Sequence, residues 1–159
     1  MNIRIGHGYD IHRLANGNRL IIGGVIVPYE KGSVAHSDGD VLYHAIIDSL
    51  LGAVAGGDIG KHFPPSDSAY KDINSALLLE KTFNIIREKG YALGNIDATI
   101  ILEKPKLRNY IDAMRKNIAE ILCTNIDNVS VKAKTKELCD AAGEGNAIEA
   151  YVVVLLTKI

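Results

Sequence analysis

The carboxyl-terminal segment constrains the fold more than any other part of the chain. Residues 147–159, AIEAYVVVLLTKI, are expected to form a β-strand, and successive side chains of a strand point to opposite faces of its sheet. Both sets of side chains are apolar here: Val152, Val154 and Leu156 on one face, Val153 and Leu155 on the other. A strand that helices cover on one side only does not need this pattern. The presence of apolar side chains on both faces favours a second subunit that covers the side without helices. The alternative is a sheet sandwiched by its own helices.

The remaining segments predict further strands and helices around that strand. Strands are expected at residues 2–8, on both sides of Gly23-Gly24, in GNIDATIILE and in NVSVKAKT. Helices are expected at about 38–54, with Ser37 or Asp38 as N-cap, at 75–89, and in a third segment with an apolar stripe of Ile111, Met114, Ile118 and Ile121. The order β-β-β-α-α-β-α-β-β predicts an α/β fold of the α+β type. It has a mixed β-sheet with helices mainly on one face, in a single domain over residues 1–159.

Composition excludes several classes of function. The net charge is −1, so no overall basic field favours nucleic acid or a membrane surface. The longest purely apolar run, YVVVLL, is far shorter than a bilayer span. The amino terminus shows no secretory or transit character, and Cys123 and Cys139 lie too far apart for a C-x-x-C metal motif. These features are typical of a protein of the reducing cytoplasm.

The segment HGYDIH places two histidines and an aspartate within six residues, 7–12. If the backbone is extended there, Asp10 and His12 point to one face and His7 to the other. An aspartate and a histidine two residues apart on one strand face can bind a metal ion together. A surface ion pair is the more common arrangement for an isolated D-x-H.

The first predicted helix offers a third metal ligand. Asp40, His44 and Asp48 recur every four residues of an otherwise apolar helix, so they share one face. Asp10, His12 and His44 together would supply the three protein ligands of a catalytic zinc site with one open position. Asp40, one turn before His44, is expected to hold the second ring nitrogen of that histidine. Spacing alone leaves a solvated helix edge as the alternative.

Stretches along the whole chain resemble one protein family. They are RIGHGYDIH, IIGGVIVPYEKG, AHSDGDVLYHA, GDIGKHFPPSD, KGYALGNIDATII, KPK, VSVKAKTKE and GEG, in this order. Together they are similar to the 2-C-methyl-D-erythritol 2,4-cyclodiphosphate synthases of the non-mevalonate pathway of isoprenoid biosynthesis. The resemblance implies an α/β domain assembled as a homotrimer with active sites at subunit interfaces. That assembly would also cover the second face of the last strand.

The activity implied by the resemblance is that of a phosphorus–oxygen lyase. The family cyclises 4-diphosphocytidyl-2-C-methyl-D-erythritol 2-phosphate: the 2-phosphate attacks the β-phosphate, and the cyclic diphosphate and CMP are the products. Charge repulsion between two phosphates is the main barrier, so catalysis needs charge neutralisation and positioning rather than a protein nucleophile. Accordingly the sequence has no G-x-S-x-G motif.

The resemblance also implies roles for individual residues. Asp10, His12 and His44 would bind zinc, and Glu137 would hold a second divalent ion, Mg²⁺ or Mn²⁺. His36 and Thr135 match catalytic positions that stabilise the transition state. Ser37, just before the first helix, would bind phosphate together with backbone N–H groups of the helix start.

The other implied substrate contacts form two groups. Those for the erythritol phosphate follow the first helix: Asp58, Ile59, Gly60, Phe63, Pro64 and Asp67. Those for the cytidine nucleotide lie near two strand ends: Leu102, Pro105, Lys106, Leu107, Arg108, Ala133 and Lys134. Without the resemblance, the first group would be a loop that caps a helix, and the lysines of the second group would be solvated charges.

Two other functions suit the same residues. A metal-dependent phosphohydrolase also uses Asp/His/His ligands, and it would release free phosphate instead of CMP and a cyclic diphosphate. A trimeric protein that binds isoprenoid phosphates without catalysis is the alternative from a different class. The retention of Asp10, His12, His44, His36, Thr135 and Glu137 favours the synthase.

The chain departs from the family pattern at three places. Lys134 replaces the first of two threonines, Pro65 replaces an aspartate, and Ala142 stands where the family usually has an arginine, in a stretch about two residues shorter. We hypothesise that Lys134 supplies the positive charge that Ala142 lacks, although an ammonium cannot reproduce the fork of a guanidinium. The variant Lys134→Thr is therefore expected to raise KM or lower turnover in steady-state kinetics. Unchanged values of both would reject this compensation.

Overall fold

The computed structural model describes residues 2–159; Met1 lies outside the described part. The strands are β1 (Ile3–Asn16), β2 (Leu20–Ile22), β3 (Val25–Val27), β4 (Lys31–Val34), β5 (Tyr91–Ile101), β6 (Val129–Lys134) and β7 (Ala147–Lys158). The α-helices are α1 (Val41–Ala53), α2 (Ile59–His62), α3 (Ser75–Glu88), α4 (Ile111–Ile121) and α5 (Asp140–Gly143). Short 3₁₀ turns occupy Ser68–Tyr70, Arg108–Tyr110 and Ile126–Asn128. Within residues 2–159, no helix combines the length and apolarity needed to cross a bilayer.

A five-stranded mixed sheet with the order β4-β1-β7-β5-β6 forms the centre of the fold. Only β5 and β6 run parallel; the other neighbours are antiparallel. The longest ladder joins β1 to β7, from the pair Ile3–Thr157 to the pair Arg13–Ala147. β2 and β3 form a separate hairpin across the Gly23-Gly24 turn. The predicted mixed sheet in a single α+β domain is confirmed.

The helices cover one side of this sheet. α1 lies on β1 and β7, α3 packs against α1 and β5, and α4 packs against β6. α1 is buried along almost its whole length, as its apolar sequence predicts. The side chains of Val152, Val154 and Leu156 on β7 are completely buried on this side.

The opposite side of the sheet, which we term the open face, is uncovered in a single chain. It carries large apolar or aromatic side chains that are exposed: Ile3, Ile5, Tyr9, Ile11, Tyr151 and Val153. Ile5 is 67% exposed and Val153 46%. The second apolar set predicted for the last strand therefore does face outward from the domain, and nothing within the described residues, 2–159, covers it.

A polar cluster lies within this open face. The Glu149 carboxylate accepts hydrogen bonds from the hydroxyls of Tyr151 (2.9 Å) and Tyr9 (3.4 Å) and from Lys136 Nζ (2.8 Å). Glu149 is only 4% exposed, so its charge is largely removed from water. The hydrogen bond that Lys136 donates to Glu149, together with that to Asp140, holds the pKa of Lys136 well above its ordinary value, so Lys136 is protonated at neutral pH.

Several boundaries differ from the sequence predictions. β1 continues to Asn16 instead of ending near residue 8, and β4, α2 and α5 were not expected. The first helix begins at Val41, so the prediction of Ser37 or Asp38 as N-cap was wrong. Asp40 is the N-cap, because its side chain accepts a hydrogen bond from the Tyr43 N–H. The missed elements are short, with too few residues to show a periodic pattern.

Two glycines let α1 approach the backbone of β1 closely. A Cβ atom at Gly6 would lie 1.8 Å from the Ser49 carbonyl oxygen, and one at Gly8 would lie 1.9 Å from the Ala45 carbonyl oxygen. No side chain larger than hydrogen fits between strand and helix at these positions. Because side chains alternate along a strand, Asp10 and His12 share the helix-facing side with these glycines.

Substitution of Gly8 tests this close contact. Gly8→Ala places a methyl group against helix backbone on two sides, 1.9 Å from Ala45 O and 2.8 Å from Ser49 N, so α1 must move away. The free energy of unfolding is expected to fall by roughly 3 kcal/mol, the upper end of the range for overpacking. Urea denaturation at one fixed protein concentration measures it.

Gly52→Ala is the matched control for this experiment. Gly52 lies on α1 and faces β1 as well, but a Cβ atom at this position would have His7 O as its nearest neighbour, at 3.7 Å. Alanine favours a helix more than glycine does, by up to about 1 kcal/mol, so this variant should be as stable as the parent or more stable. If Gly8→Ala unfolds at the same urea concentration as the parent, the space between β1 and α1 at this position accommodates a methyl group, and the close contact does not require glycine.

Candidate active site

Asp10, His12 and His44 meet where β1 crosses α1. Asp10 Oδ2 lies 3.0 Å from His12 Nε2 and 3.1 Å from His44 Nδ1, and the two histidine nitrogens are 3.0 Å apart. The three predicted ligand atoms thus form a triangle with nearly equal sides. The carboxylate comes from β1 with one imidazole, and α1 supplies the other imidazole. The predicted convergence of these three residues is confirmed.

The donor set and its spacing fit a zinc ion. Tetrahedral zinc takes nitrogen and carboxylate oxygen ligands at about 2.0–2.2 Å, which places the ligand atoms roughly 3.3–3.5 Å from one another. The triangle needs to expand by only a few tenths of an ångström to reach that spacing. Three protein ligands leave a fourth position for a substrate oxygen, as in catalytic sites.

The electrostatics of the triangle also suit a cation. Burial by itself would raise the pKa of Asp10, but the interactions of its carboxylate with the imidazoles of His12 and His44 outweigh this and hold that pKa well below its ordinary value. Asp10 is therefore an ionised carboxylate at neutral pH. It is the one anionic group among the three ligands, beside two imidazoles whose nitrogen atoms are directed at it.

The second ring nitrogen of His44 contacts two serines. His44 Nε2 lies 2.9 Å from Ser75 Oγ and 3.0 Å from Ser37 Oγ. Ser75 Oγ in turn donates to Asp38 Oδ1 at 2.5 Å. The prediction that Asp40 holds this nitrogen was wrong. The α-helical spacing placed Asp40 and His44 on one face, but it did not show what the N-cap side chain would bind.

Asp40 instead joins α1 to the β2–β3 turn. Its carboxylate is fully buried and accepts from the N–H groups of Gly23 (2.9 Å), Gly24 (2.7 Å) and Tyr43 (3.1 Å). Burial raises the pKa of Asp40 to about 6, against the opposing effect of these hydrogen bonds. Asp40 takes the N–H of Tyr43 at the start of α1, so this N–H group is not free to bind a phosphate.

Asp48, the third polar residue of α1, connects the helix to the loop that follows it. Its Oδ1 accepts from Ile59 N at 2.7 Å, and this bond holds the first residue of α2 in place. Burial raises the pKa of Asp48 above its ordinary value. The three polar residues of α1 therefore contact three different parts of the fold: Asp40 the β2–β3 turn, His44 the triangle and Asp48 the start of α2.

A cavity of about 260 Å³ opens beside the triangle. His36 and Ser37 line it, as predicted, together with Ile59, Gly60 and Phe63 of the loop after α1. Its other lining residues were not predicted: Ala35, Pro65, Tyr70 and Leu78. Tyr70 packs edge-on against Phe63, with ring centroids 5.5 Å apart. No sequence spacing marked these residues, because the loop has no periodic pattern.

Three of the predicted erythritol contacts do not line this cavity. Asp58 accepts from Lys61 N and caps α2, and Asp67 accepts from Ala69 N and caps the 3₁₀ turn. Both aspartates are exposed, and Pro64 lies between them, partly buried. In this structure the two carboxylates hold the shape of the loop.

A second cavity, of about 610 Å³, lies at the ends of β5 and β6. It brings together the whole predicted cytidine group: Leu102, Pro105, Lys106, Leu107, Arg108, Ala133 and Lys134. Thr135, Glu103, Ile111, Val131 and Lys132 complete its lining. Parallel strands place their carboxyl ends at one edge of a sheet, where ligands of α/β proteins commonly bind. The peptide bond before Pro105 is cis.

The segment after β6 contains the remaining predicted residues. Thr135 Oγ1 donates to Glu137 Oε1 at 2.8 Å, and both side chains are exposed. Lys134 is exposed beside the second cavity, whereas Ala142 is buried within α5. Ala142 thus contributes to packing, and a long cationic side chain would not fit at its position without rearrangement of α5.

The two cavities share no lining residue. Within one chain, the triangle and the nucleotide-sized cavity are therefore separate sites. Fold and site together define a class: single α+β domains with an Asp/His/His centre where a strand crosses a buried helix, and a cationic cavity at the ends of two parallel strands.

Comparison with known proteins identifies the family. The sequence profile of the YgbB family matches residues 3–157, so the chain belongs to the YgbB family. It is 57% identical to 2-C-methyl-D-erythritol 2,4-cyclodiphosphate synthase of Brachyspira hyodysenteriae, over 98% of this chain and 99% of that protein. The family predicted from the sequence motifs is confirmed.

Solved structures show the same fold. The CDP complex of IspF from Plasmodium falciparum has a TM-score of 0.87 and 39% identity, over 99% of this chain and 98% of that one. The bifunctional IspDF of Campylobacter jejuni has a TM-score of 0.95 and 36% identity. The match covers 99% of this chain but only 42% of that longer one.

Proposed function

We propose that this protein is a cyclodiphosphate synthase that converts 4-diphosphocytidyl-2-C-methyl-D-erythritol 2-phosphate into 2-C-methyl-D-erythritol 2,4-cyclodiphosphate and CMP. The observation that carries the proposal is the triangle of Asp10, His12 and His44, with sides of 3.0–3.1 Å, beside a cavity lined by His36 and Ser37. The 57% identity to the Brachyspira hyodysenteriae synthase, over 98% of the chain, supports the same activity.

The reaction joins two anionic groups within one substrate. An oxygen of the 2-phosphate forms a bond to the β-phosphorus, and the bond from that phosphorus to the CMP oxygen breaks. Repulsion between the phosphates opposes the approach, so cationic and hydrogen-bonding groups must surround them. His36 and Ser37 border the cavity beside the triangle, where they would donate to phosphate oxygens and orient the attacking group.

The residues fit two divalent cations. Asp10, His12 and His44 would hold zinc, and the exposed Glu137 carboxylate, with its bond from Thr135, would hold Mg²⁺ or Mn²⁺ through oxygen. Bound ions of this kind supply Lewis acidity that offsets phosphate charge, a contribution of several kcal/mol. The other catalytic contribution of the chain is to keep both ends of a flexible substrate in place.

The two cavities match the two ends of that substrate. Ile59, Phe63, Tyr70 and Leu78 give the first cavity an apolar wall suited to a small methyl-bearing polyol. The second cavity carries four cationic side chains, suited to a nucleotide phosphate: Lys106, Arg108, Lys132 and Lys134. Lys132 is paired with Asp97, which leaves the other three for substrate. CDP in the Plasmodium falciparum homologue supports a nucleotide ligand.

A complete active site would then need two subunits. The two cavities have no common wall in one chain, and the open face offers an apolar surface for association. We infer a homotrimer in which the triangle of one subunit faces the nucleotide cavity of the next. The free thiols of Cys123 and Cys139 support the expected location in a reducing cytoplasm.

Product analysis tests the activity. Purified protein with the cytidine substrate and zinc should release CMP and the cyclic diphosphate, and a chelator should stop the reaction. The variant His12→Ala should lose at least about two orders of magnitude in rate, equivalent to roughly 3 kcal/mol. His62→Ala is the control, because His62 binds the Gly56 carbonyl and lies outside the triangle and the cavity lining. Release of inorganic phosphate in place of CMP would show a phosphohydrolase, and no turnover would show a binding protein.

Subunit complementation tests the shared site. His12→Ala disables the triangle, and Lys106→Ala weakens the nucleotide cavity; each variant alone should be nearly inactive. When the two are unfolded together and refolded as mixed trimers, about a quarter of the sites combine an intact triangle with an intact nucleotide cavity from a neighbouring subunit. Activity near a quarter of the parental value is expected. Activity no higher than that of the separate variants would show that each site belongs to one chain.

A further inference from the structure

The unassigned polar contacts nearest the triangle form a chain that ends on a carboxylate. His44 Nε2 lies 2.9 Å from Ser75 Oγ, and Ser75 Oγ lies 2.5 Å from Asp38 Oδ1. Ser75 is completely buried. It is the first residue of α3, 31 positions after His44 in the sequence. Neither Ser75 nor Asp38 has a role in the function proposed above.

The chemistry of the three groups fixes the direction of each hydrogen bond. An ionised carboxylate only accepts, so the hydroxyl proton of Ser75 must lie toward Asp38. The lone pairs of Ser75 Oγ are then free to accept from His44 Nε2. In a neutral imidazole only one nitrogen carries hydrogen, so a proton on Nε2 leaves Nδ1 bare. Nδ1 is the atom directed at Asp10 and His12.

Asp38 is held firmly enough to direct this chain. Its Oδ2 accepts from Ser75 N at 3.0 Å, and its Oδ1 also accepts from Asp40 N at 3.2 Å. Its own N–H donates to Ile73 O at 3.1 Å. The carboxylate thus bridges the loop before α1 and the start of α3, and Ser75 binds it through both backbone and side chain.

Ser37 offers His44 Nε2 a second hydrogen-bond acceptor, but the proposed function also uses the Ser37 hydroxyl to bind substrate. Its Oγ lies 3.0 Å from His44 Nε2 and accepts from Gly39 N at 3.3 Å. Ser37 also lines the cavity, where the proposed function gives its hydroxyl to a substrate phosphate. Ser75 does not line that cavity, so its bond to His44 remains available when substrate binds.

We propose that Ser75 and Asp38 are positioning residues, which hold His44 as the Nε2–H tautomer with its Nδ1 lone pair directed at the metal. The proposal rests on the metal centre of the proposed function. Outer hydrogen-bond partners of metal-binding histidines fix ring orientation and tautomer, and their loss commonly costs 10–100-fold in metal affinity. Here a serine hydroxyl stands between the histidine and the carboxylate.

Zinc affinity of the full-length protein tests the role of Ser75. Metal-free protein is titrated with zinc against a competing fluorescent chelator, and Ser75→Ala is expected to bind zinc roughly 10–100-fold more weakly than the parent. Thr82→Val is the matched control: Thr82 lies about two turns further along α3, is fully buried, and its hydroxyl has no hydrogen-bond partner among residues 2–159. This variant should keep the parental affinity.

Nitrogen-15 NMR of the histidine rings separates positioning from general destabilisation. In the parent protein with zinc, His44 should show a protonated Nε2 and a metal-bound Nδ1, a result that requires no variant to fold. Metal-free Ser75→Ala should show a mixture of His44 tautomers. Asp38→Asn, which keeps the size of the side chain, should also weaken zinc binding at least about tenfold.

The outcomes distinguish this inference from the proposed function. Parental zinc affinity in both Ser75→Ala and Asp38→Asn would overturn the positioning role and leave the metal centre intact. A zinc-bound Nε2 of His44 in the parent would also overturn it. If the parent binds no zinc, or if His12→Ala binds it as tightly as the parent, the metal centre itself fails and the inference fails with it.

Discussion

The contact between α1 and β1 determines how closely the three ligands of the triangle can approach one another. At Gly6 and Gly8 the helix backbone occupies the space that a Cβ atom would need, since that atom would lie only 1.8 or 1.9 Å from a helix carbonyl oxygen. The next two residues on that side of β1 are Asp10 and His12, and His44 precedes Ala45 on the helix. A wider separation would draw His44 away from the two strand ligands and open the triangle. The motif GHGYDIH thus combines two packing positions with two ligand positions on one strand face.

α1 then distributes its polar groups among three neighbours. Asp40 binds the β2–β3 turn, His44 reaches the triangle, and Asp48 binds the start of α2. Buried polar groups cost free energy unless they are paired, and each of these three is paired. A single apolar helix therefore places the hairpin, the candidate metal centre and the loop over the cavity relative to one another.

Sequence patterns predicted the long elements and the convergent ligands, because both depend on regular spacing. The alternation in β7, the stripe in α4 and the Asp10–His12 spacing all survive in the structure. Contacts between distant residues were harder to predict. Ser75 and Asp38 are 37 residues apart, and no periodicity relates them. Asp40 lies one helical turn before His44, as a hydrogen bond between them would require, but its side chain caps the start of α1 instead. Asp58 and Asp67 likewise bind local backbone N–H groups, a common use of aspartate in loops.

The polar cluster on the open face has a consequence for how the subunits of the proposed homotrimer would meet. Burial of apolar area has no directional preference. Two uniformly apolar surfaces could therefore associate in many alignments of nearly equal free energy. Glu149 interrupts that surface with a charge already bonded to Tyr9, Tyr151 and Lys136. A neighbouring chain that slid over it out of alignment would have to bury those groups against mismatched ones. In the proposed homotrimer, the cluster would therefore favour one alignment of the subunits, in addition to the contact that the apolar side chains would provide.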